Sequence, residues 1–125
     1  MTLADIRADL HDALTAAGWE KVLTYSPERF TVPLAYLLPD SPYLTSEGAR
    51  FGHLKVGFEV RLVVGAGTNE RQTTELDTQI ESTIIELITA GISVGEVTQP
   101  YALLTDNGTF TAVSIHTTST LTIGA

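Results

Sequence analysis

Residues 54–64 place the tightest constraint on this chain. Leu54, Val56, Phe58, Val60, Leu62 and Val64 alternate with Lys55, Gly57, Glu59 and Arg61. Successive side chains of a strand point to opposite faces, so this spacing predicts a β-strand with one face on an apolar core. Its other face meets water or a neighbouring subunit. The fold must therefore contain a sheet with a dry side, and other elements have to cover that side.

Two segments have the periodicity to do so. Leu3, Ile6, Leu10, Ala13, Leu14 and Ala17 recur at three- and four-residue spacing, with Asp5, Asp9 and Asp12 on other faces. This predicts a helix over 3–17, capped by Thr2 and favoured by Asp5 near its positive end. Gly18 suits the residue that stops it, with Trp19 folding back onto the last turn. The second helix opens after Gly65-Ala66-Gly67-Thr68-Asn69, capped by Thr68 or Asn69, and ends before Gly91. Leu76, Ile80, Ile84, Leu87 and Ile88 form its apolar stripe. Glu70, Glu75, Asp77, Glu81 and Glu86 form an acidic outer side opposed only by Arg71.

The remaining segments read as strands and loops. Lys21 to Tyr25 could form a strand, and Ser26-Pro27 a turn. Pro33 to Pro39 is an apolar run bracketed by prolines, as expected of a strand buried on both faces. Asp40 to Gly52 reads as a long loop whose Tyr43, Leu44 and Phe51 call for a partner. Val94 to Thr98 and Tyr101 to Leu104 are short strands separated by Pro100. Asp106-Asn107-Gly108 is a hairpin signal, because Asn and Gly tolerate the positive φ of tight turns. Thr109 to Ile123 is a long Thr-rich strand, too long for Tyr101–Leu104 to pair completely, so its outer part is expected at an edge or against another chain. The order of elements predicts one α+β domain over residues 1–125. Its sheet is mixed, mainly antiparallel, with two helices packed on one face.

Composition narrows the function. The chain has 125 residues, 15 Asp plus Glu against 7 Lys plus Arg, a formal net charge of −8 and no Cys. A domain of this size folds without metal or disulfide. The absence of Cys excludes thiol nucleophiles and Cys-based zinc sites. The acidity argues against a surface that grips nucleic acid, though not against a protein that DNA must pass without sticking. The first residues carry no basic head or continuous apolar stretch, so they do not read as a signal peptide, and no run is long enough to span a membrane.

No catalytic constellation stands out. His11, His53 and His116 lack metal-ligand spacing. Asp77 and Glu81 lie one turn apart but read as a solvated helix face. Ser114 and His116 share a strand face without the strained turn or oxyanion loop that nucleophilic catalysis requires. Gly65-Ala66-Gly67 lacks the rest of a phosphate-binding fingerprint. The sequence therefore implies no catalytic residue, cofactor or metal.

Ser26-Pro27-Glu28-Arg29, the apolar strand ending in Pro39, Asp40-Ser41-Pro42-Tyr43-Leu44 and Phe51-Gly52 are followed by the Val56–Val64 strand, Gly-Thr-Asn at 67–69, Leu76-Asp77 and Ile80-Glu81. Together these features resemble the tail terminator proteins of long-tailed bacteriophages, especially those infecting actinobacteria. The likeness covers residues 1–123 and rests on the order of elements and a short Pro-Tyr-Leu/Phe-Gly signature. It implies a structural virion protein at the head–tail junction, assembled in the host cytoplasm. Such proteins form a hexameric ring that caps the tail tube, ends its polymerisation and offers the head–neck connector a joining surface. Genomic DNA passes through the central hole without sequence-specific binding, and no membrane is involved. The expected partners are thus further copies of the chain, the tail tube protein and neck proteins. Tyr43, Leu44, Arg50 and Phe51 are the candidate subunit-interface residues, with Arg50 as a partner for a neighbour's acid. The alternatives are another neck completion or tail tube protein, or a small ligand-binding or enzymatic α+β domain.

Overall fold

The computed structural model describes residues 2–46, 53–65, 70–105 and 108–122. Elements follow in the order α1 (Leu3–Ala16), β1 (Val22–Leu23), β2 (Leu34–Ser46), β3 (His53–Val64), α2 (Glu70–Thr89), β4 (Ser93–Val97), β5 (Tyr101–Thr105) and β6 (Gly108–Thr122). The six strands make one sheet in the order β1-β2-β3-β6-β4, with β5 also paired to β6. Only β1 and β2 run parallel. This is the α+β domain that the periodicities predict, with both helices on one face of a mainly antiparallel sheet.

Both helices end by the same device. At the close of α1, Gly18 takes φ +104°. Its N–H donates to the Thr15 carbonyl, and that of Trp19 to Leu14. At the close of α2, Gly91 takes φ +82°, its N–H donates to the Ile88 carbonyl and that of Ile92 to Leu87. This paired closure satisfies two orphan carbonyls and throws an apolar residue back on the helix, and Trp19 and Ile92 are both buried. At its start α1 has a full capping box, in which Thr2 and Asp5 exchange side chain-to-backbone hydrogen bonds. The Thr2 N–H, which donates to Asp5 Oδ2, and the neighbouring Thr2 hydroxyl hold the Asp5 carboxyl below its usual range.

The core lies between helices and sheet. Ile6, Leu10 and Leu14 of α1 and Leu87 of α2 meet Ala35 and Leu37 of β2, Val56, Phe58, Val60 and Leu62 of β3, and Ile115 and Leu121 of β6. Trp19 closes the junction of the helices, where its Nε1 donates to Thr83 Oγ1 at 2.9 Å and Thr83 donates to the Gln79 carbonyl. Ile88 does not join the apolar stripe expected of α2; it is 60% exposed. A second apolar cluster forms on the opposite sheet face from Leu34, Tyr36, Val63 and Ala112, with Phe30, Leu103 and Phe110 against it. Phe30 stacks on Phe110 and meets Tyr36 edge-on.

One expectation is corrected and another is made more precise. Residues 40–46 are not loop but the outer half of β2, which continues to Ser46 through an irregularity between Pro39 and Leu44. The turn-like Asp-Ser-Pro sequence is absorbed because β1 spans only two residues. Beyond Tyr36, the outer side of β2 therefore faces no strand among the described residues, and prolines without N–H groups remove no ladder bond there. Residues 47–52 lie outside the described residues. The long Thr-rich strand is interior along most of its length, and only its outer end past Thr118 has no strand on the β4 side among the described residues, the edge expected there. β6 pairs with β3 from Thr111 to Thr122, while β5 and β4 share its other side in tandem. Alternation reports which faces a strand has, not how many neighbours it has.

Candidate functional site

The four residues singled out for subunit contact fall in different situations. Tyr43 is half-buried on the helix side of β2, where its ring meets Phe58 edge-on at 5.5 Å. Arg7 of α1 lies 4.9 Å over the Phe58 ring and donates to the Tyr43 hydroxyl at 3.2 Å and to the Thr24 carbonyl at 2.9 Å. Tyr43 thus has a packing role within its own chain. Leu44 is 42% exposed. Arg50 and Phe51 lie outside the described residues.

The structure also brings together a polar cluster that spacing alone does not reveal. On the sheet face away from the helices, register sets Glu59 beside His116 and Arg61 beside Ser114. Arg61 donates to Glu59 Oε2 from Nε at 3.0 Å and Nη2 at 2.7 Å, and from Nη1 to the Tyr36 hydroxyl at 3.1 Å. Ser114 donates to the same Glu59 oxygen at 2.7 Å, which leaves the Tyr101 hydroxyl to donate to Ser114 Oγ at 2.7 Å. Burial disfavours the Glu59 carboxylate, yet the hydrogen bonds from Ser114 and Arg61 outweigh it and hold the group below its ordinary range. The Arg61 guanidinium is raised: desolvation opposes this, and Glu59 and Tyr36 overcome it. Burial raises the Tyr36 phenol.

Further along the same strands, His116 Nδ1 of β6 lies 2.8 Å from Asp40 Oδ2 of β2. The two side chains meet across β3 at Gly57, whose missing side chain makes room. A Cβ there would lie 2.8 Å from the Pro42 carbonyl oxygen and 3.1 Å from Asp40 Cβ. Ser114 and His116 therefore bond to different carboxylates and do not form a nucleophile–base pair. The cluster is internally satisfied; among the described residues no fully buried side-chain nitrogen or oxygen lacks a partner.

The other sequence candidates stay apart. His11 sits on α1 near Asp12, and Asp77 and Glu81 are exposed on α2. Among the described residues, no three His, Asp or Glu are grouped to hold a metal. A cleft of about 380 Å³ opens where Leu76 and Asp77 of α2 face Val64, Tyr101 and Thr111.

The surface is divided by charge and by greasy residues. The helix layer carries Asp5, Asp9, Asp12, Glu70, Glu75, Asp77, Glu81 and Glu86, while Arg7 turns inward and Arg71 pairs with Glu75. Besides Leu44 on the outer half of β2, the large exposed apolar side chains among the described residues stand toward the two lateral ends. Tyr25 (64% exposed) follows β1, whereas Ile85, Ile88, Val97 and Leu104 stand on α2, β4 and β5. Neither a family model nor a curated protein matches the chain.

Proposed function

We propose that this chain is a structural virion protein, a tail terminator whose copies form a ring, hexameric by the family resemblance, at the head–tail junction. The ring caps the tail tube, ends its growth and presents a surface to the neck, with genomic DNA passing through the hole. The work is done by shape and contact, not by catalysis.

The observation that carries this reading is the placement of surplus apolar surface at opposite ends of one sheet. A ring is built from head-to-tail contacts in which one patch meets a different patch on the neighbour. Among the described residues, exposed Tyr25 flanks the β1 end, with Leu44 on the outer half of β2, and Ile85, Ile88, Val97 and Leu104 stand separately on α2 and at the β4–β5 end. The acidic helix layer is compatible with a wall near passing DNA, because like charges do not grip phosphates.

Cryo-electron microscopy of tails from particles encoding this chain tests the reading. A six-fold ring of the chain at the head-proximal end of the tube is the expected image. A chain that never associates with tail tubes overturns it. The cleft beside Leu76 favours a second reading, a small ligand-binding domain, since its volume falls within the range of ligand sites.

A further inference from the structure

We infer that the contact between neighbouring copies is a specific head-to-tail one: the flank of α2 that bears Ile85 and Ile88 seats on the basic cleft beside β1 of the next copy. The inference deepens the ring reading and rests on it.

The sheet order puts β1 and β4 at opposite edges, with α1 packed at the β1 end and α2 at the β4 end. Glu86, Thr89 and Ala90 of α2 face Asp9, Asp12 and Ala13 of α1 across a groove. Ile88 stands about 200° round the axis from Glu86, so it points away from α1 and off the β4 edge of the molecule. Asp77, Glu81, Ile85 and Ile88 follow one another at four- and three-residue steps and form a single exposed ridge. That ridge is acidic with two aliphatic side chains, 61% and 60% exposed.

The opposite edge offers the complement. Lys21, Leu23, Tyr25, Pro27 and Arg29, with Glu28, line a cleft of about 460 Å³ beside β1. Neither Lys21 nor Arg29 forms an ion pair among the described residues. The other described bases are committed elsewhere or lie apart. Arg7 is turned into the core, Arg61 bonds Glu59, Arg71 bonds Glu75, and Lys55 is on β3. An apolar floor with Lys and Arg fits an Ile-bearing ridge with Asp and Glu, and charge complementarity fixes the register of such a contact.

Extension of the sheet by strand addition is the less favourable route. The outer side of β2 carries Pro39, Pro42 and an irregular register, features that blunt an edge. A self-complementary contact through the two isoleucines would leave Asp77 and Glu81 without a basic partner, so it lacks the charge pairing that the β1 cleft offers.

The chain has no Cys, so single cysteines report the contact cleanly. Ile88→Cys and Tyr25→Cys are both surface changes. Each variant is incubated at concentrations on the order of 1 mM, where weak contacts are populated, with a short bismaleimide cross-linker. The mixture of the two variants should give a dimer and stop there. Each variant alone should give none, and the doubly substituted chain a ladder of higher species. Absence of the mixed dimer, or cross-linking of Ile88→Cys to itself, overturns the inference. In the doubly substituted chain, Lys21→Glu with Arg29→Glu should cut the ladder about tenfold, and adding Asp77→Lys with Glu81→Lys should restore it. An unchanged ladder after the first pair refutes the charge pairing. A chain that forms the ladder but never caps tail tubes keeps the contact and removes the tail-terminator reading. A chain that caps tubes without cross-linking does the reverse.

Discussion

The two faces of the sheet solve the same problem with different chemistry. On the helix side, β3 presents Val56, Phe58, Val60 and Leu62, all fully buried under α1 and α2. On the other side the same strand presents Glu59 and Arg61, which no helix covers and which are satisfied laterally by Ser114 and Tyr36, with Tyr101 bonded in turn to Ser114. The first face is held by area removed from water, a non-directional force that tolerates exchange of similar shapes. The second is held by directional bonds to half-buried charges, where loss of one partner strands the others. One strand therefore carries a robust face and a brittle one.

That contrast can be broken from either side. Phe58→Ala should cost about 3–5 kcal/mol, because it removes a fully buried ring together with the contacts of Arg7 and Tyr43; denaturant unfolding measures it. Glu59→Ala should cost about 2–3 kcal/mol, since Arg61, only 22% exposed at its side chain, and Ser114 both lose their acceptor. Gly57→Ala should cost about 1–2 kcal/mol by pressing on the Pro42 carbonyl, and should separate His116 from Asp40. The chemical shifts of the His116 ring at fixed pH report that separation. Arg71→Ala, at an exposed pair on α2, should change stability by less than about 0.5 kcal/mol.

Acidity sharpens the comparison further. The folded-state value of Glu59 is depressed, so its contribution is fully present above the unfolded carboxyl value and is lost as pH falls through the folded one. From roughly pH 4 downward the native chain should lose stability, and Glu59→Gln should flatten that part of the profile. Thermal unfolding between pH 2 and about 6 tests this, with an unaltered acid limb as the result that removes Glu59 from the account.

Much of the frame is legible in the chain because it depends on local spacing. The alternation of 54–64, the caps at Thr2, Gly18 and Gly91, and the Asn-Gly hairpin signal each act within a few residues. The polar cluster is not legible in this way. Glu59 and Arg61 are readable as outward-facing, but their partners lie 55 and 25 residues away at Ser114 and Tyr36. Tyr43 likewise reads as an exposed apolar residue until Arg7, 36 residues earlier, is brought to its hydroxyl.

Amino-acid order alone determined that this protein has a sheet with one dry side, two amphipathic helices to cover it, and an acidic exterior. The tertiary structure decided that β6 lies inside the sheet with β3 along its length, that β2 runs on past Pro39, and that Asp40 reaches His116 across Gly57. The reason is physical. Periodicity is a property of consecutive residues and fixes which way each side chain points. Strand neighbours and cross-strand bonds are set by which distant segments come to share a register, and no local pattern encodes that choice.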